Sequence, residues 1–103
     1  MLSREEVISK IKSFIAFDDR VKHIILFGSV SRDEHTENSD LDICIVINRD
    51  KTKFYKLSVY RTFEDKIFDL GFRDYDIIVL TEREFARDIS FNNEVKNGIE
   101  LLD

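Results

Sequence analysis

The strongest constraint on the fold lies between residues 21 and 47. Val21 to Phe27 is a short run rich in β-branched residues that stops at Gly28. Leu41 to Ile47 is a second run, almost unbroken in apolar residues. Each reads as a strand, and the near-continuous second one as a central strand covered on both faces. The polar link at 29–39 has room for one short helical turn. It is too short for a parallel crossover carrying a full helix, so the two strands are expected to be antiparallel neighbours. Gly28-Ser29 closes the first strand, and after a ten-residue gap Asp40 and Asp42 open the second. Alternate strand residues face the same way, which puts both carboxylates on one side with Cα atoms about 6.6 Å apart. Turn chemistry at Asn38-Ser39-Asp40 accounts for Asp40. It does not account for Asp42, which sits inside Leu41-Asp42-Ile43-Cys44-Ile45.

The remaining elements follow from periodicity. Ser3 to about Phe17 reads as a helix, with Ser3 and Glu6 at capping-box spacing and a stripe of Val7, Ile8, Ile11, Phe14 and Ile15. Asp18-Asp19-Arg20 breaks it. Lys51 to about Leu70 is a second helix, whose stripe is Phe54, Leu57, Tyr60, Phe63, Ile67 and Phe68, and Gly71 ends it. Tyr75 to Leu80 is a third strand. Thr81 resembles an N-cap with Glu84 at the capping-box position, and two short helices, roughly 82–90 and 92–102, finish the chain. The third strand returns through the long helix, giving a small mixed sheet in an α+β fold. With 103 residues, no proline, no repeat and no low-complexity stretch, residues 1–103 read as a single domain.

Composition excludes several roles. Hydrophobic residues at 43% argue against disorder. A net charge of −5 makes a poor general nucleic-acid binder, since phosphate contacts need a basic footprint. The cluster Lys51, Lys53, Lys56, Arg61 and Lys66 reads as a solvated helix face. Cys44 is the single cysteine, so no intrachain disulfide forms, and it reads as a small buried hydrophobe. No secretory signal and no long apolar segment is seen, so the expected location is the cytoplasm and no membrane role is expected. His23 reads as a surface or satisfied partly buried residue, and His35 as a solvated loop residue. Phe85, Phe91, Ile99 and Leu101 read as core or as a surface for self-association.

The acids and the Gly-Ser point to phosphate chemistry. Magnesium takes oxygen ligands from one or two carboxylates and completes its shell with phosphate oxygens and water. Two such ions serve in nucleotidyl transfer. A third carboxylate helps hold the second ion and can take the proton of an attacking hydroxyl. Asp76, which opens the strand Ile77-Ile78-Val79-Leu80, is the candidate, with Asp74 as the fallback on the same face. Gly28 lets a backbone come close to a ligand, N–H groups at the following turn suit an anion, and Ser29 and Arg32 offer further donors to phosphate.

In this arrangement the chain resembles the DNA polymerase β-like nucleotidyltransferase superfamily, whose Gly-Ser and Asp-x-Asp pattern is carried by Gly28, Ser29, Asp40 and Asp42. Within it the chain is similar to the minimal nucleotidyltransferases of MNT–HEPN toxin–antitoxin systems, and the resemblance runs from the first helix to the closing segments. It implies a polymerase β palm-like fold. It also implies that Gly28, Ser29 and Arg32 hold the triphosphate and that Asp40, Asp42 and Asp76 bind Mg2+. Val30 and Asp33 depart from the family wording, which has a basic residue and a glycine there. The implied activity is transfer of a nucleoside monophosphate, AMP from ATP, to a hydroxyl, a tyrosine of a partner HEPN toxin, with the chain acting as antitoxin. The alternatives are a nucleotide-binding antitoxin that neutralises its partner by contact, and a small-molecule modifier of the aminoglycoside nucleotidyltransferase kind.

Overall fold

The computed structural model describes residues 2–15, 19–48, 53–72, 74–87, 95 and 97–102. Helix α1 spans Arg4–Ile15, strand β1 Val21–Phe27, the four-residue helix α2 Gly28–Ser31 and strand β2 Leu41–Ile47. Helix α3 follows at Lys53–Phe68, then strand β3 Tyr75–Thr81, helix α4 Glu82–Arg87 and the two-residue strand β4 Ile99–Glu100. The sheet has the order β3-β2-β1-β4. β1 and β2 are antiparallel with Phe27 opposite Asp42, as the short link requires, and β3 runs parallel to β2. α3 forms the connection between these two parallel strands.

Helix starts follow their local chemistry. Ser3 N–H donates to Glu6 Oε1 at 3.1 Å while Glu6 N–H donates to Ser3 Oγ at 3.1 Å, a reciprocal capping box. Thr81 and Glu84 do the same for α4, at 3.0 and 3.1 Å. At the far end of α3 the chain reverses through Gly71, whose φ of +89° is readily reached only without a Cβ.

The core lies mostly on one face of the sheet. Val7 and Ile11 of α1 and Val59, Phe63 and Ile67 of α3 pack there against Ile24, Leu26, Leu41, Ile43, Ile45 and Ile47. The opposite face is thinner: Ile25, Phe27, Cys44 and Val46 are covered by Val95, with Ile78, Leu80 and Phe85 packed alongside. β2 is therefore buried on both sides except at Asp42. Burial raises the Cys44 thiol to about 12, the behaviour of a core hydrophobe.

Three expectations are corrected. The stripe proposed for the second helix is too wide: Val59, Phe63 and Ile67 face the sheet, while Phe54, Leu57 and Phe68 are 84%, 44% and 69% exposed. One helix face of about 100° suffices to cover the sheet, and these three fall on the other side of α3. The helix at 92–102 is not formed across its end, because Asn97 and Gly98 turn the chain and Ile99–Glu100 adds a fourth strand beside β1. Leu101 N–H then donates to the Ile24 carbonyl at 2.7 Å, and Leu101 is buried. His35 is not a solvated loop residue: it is half-buried, its Nε2–H donates to the Leu2 carbonyl at 2.8 Å, and its Nδ1 is buried without a partner. His23 is exposed beside Glu100, with Nδ1 and Oε1 3.2 Å apart. The segments 16–18, 49–52, 88–94 and Phe91 within the last lie outside the described residues.

Candidate active site

The site forms where β1 ends and where β2 and β3 begin. In the parallel register Asp42 stands directly beside Asp76, Cys44 beside Ile78 and Val46 beside Leu80. One ladder on the thin face is thus acidic at its first rung and apolar at the next two. Neighbouring strands lie about 4.8 Å apart, so the two aspartates start from adjacent Cα atoms. Like charges side by side destabilise a sheet. A cation between them, or next to them, reverses the sign of that cost.

Gly28 closes the other side. Phe27 pairs with Asp42 across the antiparallel ladder, and the next residue is Gly28 with φ +74°. A Cβ at position 28 would overlap Asp42 Oδ2 and lie 3.0 Å from its Cγ. The carboxylate therefore occupies the space that any side chain at 28 would fill. The glycine is needed twice over, for its dihedral and for this close approach. Ser29 is half-buried at the start of α2, and Ser31 Oγ donates back to the Gly28 carbonyl at 2.7 Å, which holds the turn. Beyond α2, Asp33 takes φ +59° in the position where the family wording has glycine, a conformation that aspartate tolerates better than most residues.

The other candidates are placed as follows. Asp40 is exposed and precedes the first residue of β2, so strand alternation reaches it only by extension. The Leu41 N–H donates to the Asp74 carbonyl at 3.2 Å, which carries the parallel ladder just past the start of β3. Asp74 is itself exposed. Arg32 is exposed and its Nε donates to Glu34 Oε2 at 3.1 Å. Among the described residues, no group of three or more Asp, Glu, His or Cys side chains is gathered closely enough to hold a metal ion. The fit to magnesium rests instead on a carboxylate pair, Asp42 with Asp76, plus Asp40 at the strand entrance. One or two carboxylates with substrate phosphates are the usual complement for that ion, so the donor set fits.

Sequence reasoning passed over a pair of tyrosines on the α3 side of the sheet. Tyr75 Oη donates to Glu64 Oε2 at 2.7 Å, and that bond raises the Tyr75 hydroxyl to about 12. Tyr60 is raised too, first by burial and then by the Glu64 charge. Tyr60 of α3 and Tyr75 both pack on the face of the sheet opposite the Cys44–Ile78 ladder. The signal was present as Tyr60 in the helix stripe, but its partner lies on another element.

Comparison with known proteins identifies the family and the fold. The family profile described as "Nucleotidyltransferase domain" matches residues 8–102. A protein of Methanocaldococcus jannaschii named "Putative protein adenylyltransferase" is 36% identical over 78 residues, covering 73% of this chain and 72% of its own length. Among solved structures, one titled "Crystal structure of the toxin-antitoxin with AMP-PNP" superposes with a TM-score of 0.60 at 19% identity, covering 91% of this chain and 71% of that one. A structure titled "Crystal structure of a putative nucleotidyltransferase from Sulfolobus solfataricus" superposes at 0.53 with 18% identity, covering 94% and 77%. The last two show the fold. The family match over residues 8–102 and the archaeal relative place this chain in the nucleotidyltransferase domain family, as a nucleotidyltransferase of α+β fold.

Proposed function

We propose that this nucleotidyltransferase moves AMP from ATP to a hydroxyl, that of a tyrosine on a HEPN-type toxin partner, and so acts as an antitoxin. The observation that carries the proposal is the placement of Asp42 beside Asp76, with Gly28 pressed against the Asp42 carboxylate. Asp42 is half-buried and Asp76 exposed, and two like charges side by side at the open end of an otherwise apolar ladder are unfavourable in a domain that only packs or binds. Support for the donor and the partner comes from two neighbours: the adenylyltransferase name of the archaeal relative and the AMP-PNP in the toxin–antitoxin structure.

Asp40, Asp42 and Asp76 would hold Mg2+, which when bound neutralises charge on the phosphate oxygens. The remaining steps belong to the chain. The backbone at Gly28 and the Ser29 hydroxyl seat the triphosphate, and Arg32, freed from Glu34, adds a cationic donor. The acceptor oxygen forms its bond to the α-phosphorus as the bond to the β-phosphate bridge breaks and pyrophosphate leaves. The hydroxyl proton passes to Asp76, whose carboxylate opens its strand on the same face.

The test is a transfer assay with ATP labelled on the α-phosphate, magnesium and a purified HEPN toxin, comparing the wild type with Asp42→Asn and Asp76→Asn. Label on the toxin that falls by about two to three orders of magnitude in each variant is expected. Full neutralisation of the toxin by Asp42→Asn with no label transferred would overturn the catalytic reading in favour of neutralisation by contact. Undiminished labelling in both variants would overturn the assignment of the acids.

A further inference from the structure

The face of α3 turned away from the sheet carries none of Gly28, Ser29, Arg32, Asp40, Asp42 or Asp76, and its residues form a pattern. At 100° per residue, Phe54, Leu57, Arg61, Asp65 and Phe68 fall within an arc of about 80°. That arc is opposite the buried row of Val59, Phe63 and Ile67. It carries Phe54, Leu57 and Phe68, the large hydrophobics that are exposed among the described residues. The charges on the arc are one of each sign, four residues apart, and both are exposed. A groove of about 430 Å³ runs along it, lined by Phe54, Leu57, Ser58, Arg61, Thr62 and Asp65. Its polar wall is fixed from outside the helix, because Arg20 donates to Ser58 Oγ at 3.0 Å and to Thr62 Oγ1 at 3.3 Å.

We infer that this face is a homodimer surface, with α3 packing antiparallel against α3 of a second copy about a two-fold axis at the level of residue 63. The argument is self-complementarity. An isologous interface puts the same patch on both partners, so residue i meets j and j meets i. An axis midway between Arg61 and Asp65 sets Arg61 of each copy opposite Asp65 of the other, which gives two reciprocal ion pairs. The same register brings Phe68 of one copy level with Ser58 of the other. The groove lining runs from residue 54 to residue 65, so its centre lies within about 3 Å of that level at 1.5 Å per residue. Each Phe68 then fills the groove of its partner, and the exposed aromatic is covered twice by one operation. An axis set on Arg61 itself would oppose like charges, so the charge pattern selects one register. The face does not include Asp40, Asp42 or Asp76, and the inference stands whether or not those acids catalyse transfer.

The experiment is sedimentation equilibrium of the full chain over a concentration series, with circular dichroism on every variant. The wild type is expected to show a reversible monomer–dimer equilibrium. Arg61→Asp and Asp65→Arg are each expected to raise the dissociation constant by about tenfold or more, and the double variant to restore it, since the swap recreates the opposed pairs. Phe68→Ser is expected to abolish the dimer without loss of helix, because the side chain is exposed in the monomer. A wild type that stays monomeric across the series overturns the inference. So does a dimer that persists in both Arg61→Asp and Phe68→Ser, or a double charge swap that fails to restore association. A monomeric wild type whose binding to a toxin is lost in Phe68→Ser assigns the face to the heterologous partner instead.

Discussion

Replacing Gly28 by alanine tests the geometry of the site through stability alone. Two costs are separable. The first is the dihedral: φ is +74°, and an L-residue there costs about 1–2 kcal/mol. The second is contact. The new Cβ would lie 3.0 Å from Asp42 Cγ and 3.3 Å from Asp42 Cβ, inside the ordinary carbon–carbon separation of about 3.5–4.0 Å, and would overlap Oδ2. Overpacking of that kind costs about 1–3 kcal/mol. Gly71 provides the control, since its φ is +89° but nothing lies within 4 Å of its missing Cβ. Gly71→Ala should therefore carry the dihedral cost only. For a domain of this size each kcal/mol moves the midpoint by about 4–8 °C, so Gly71→Ala should lower Tm by roughly 5–15 °C and Gly28→Ala by roughly 10 °C more. The contact term depends on the carboxylate. In an Asp42→Ala background only the 3.3 Å contact with Cβ remains, and the extra cost of Gly28→Ala should shrink towards that of Gly71→Ala. Chemical denaturation of the two single glycine variants, Asp42→Ala and the Gly28→Ala/Asp42→Ala double variant gives the coupling directly. A Gly28→Ala variant no less stable than Gly71→Ala, or a cost that Asp42→Ala does not relieve, would refute the close approach on which the site description rests.

Other predictions concern groups away from that contact. Lys56 Nζ pairs with Glu84 Oε1, and this bond, then the Thr81 N–H, holds the Glu84 carboxyl below the usual carboxylate range. A depressed folded-state pKa contributes stability above the unfolded value, so the difference between wild type and Glu84→Gln should be full at neutral pH. It should fade as pH falls below about 4.5, which denaturation at stepped pH will show. Ser3→Ala removes the acceptor for the Glu6 N–H and should cost about 1 kcal/mol by thermal melting, with no change in nucleotide binding. The Cys44 thiol, buried and raised to about 12, should resist an aromatic disulfide reagent at pH 8 in the native state and react once on unfolding in denaturant. Fast native-state labelling would contradict its place in the core.

The parts of the chain that could be read without tertiary information share a cause. Val21–Phe27 declares itself as a strand by its short β-branched run ending at Gly28, and Leu41–Ile47 because covering both faces demands continuous apolar residues. Their short polar link forces an antiparallel pair, and the capping boxes at Ser3 and Thr81 are satisfied by neighbours three residues away. Asp42 stood out because an acid inside such a strand conflicts with its surroundings. Each of these features depends on covalent geometry, local hydrogen bonds or burial along a single element.

What needed the folded chain depends on which elements meet. The stripe on α3 contained more apolar residues than one helix face can bury, and only the seating on the sheet decided that Phe63 and Ile67 went in and Phe54 and Phe68 stayed out. The segment 92–102 has residues suited to a helix, but the turn at Asn97-Gly98 and the free edge of β1 made Ile99–Glu100 a strand, because an unpaired edge offers backbone partners that a short helix lacks. Asp76 was named from its position at a strand start, yet only the parallel register, set by the crossover through α3, puts it beside Asp42. Sequence by itself determined that a glycine–serine turn and an acidic strand entrance exist, since both follow from local rules. Tertiary structure alone decided that the Asp42 carboxylate fills the space left by Gly28, because that contact joins the start of α2 to β2 and cannot be computed from either.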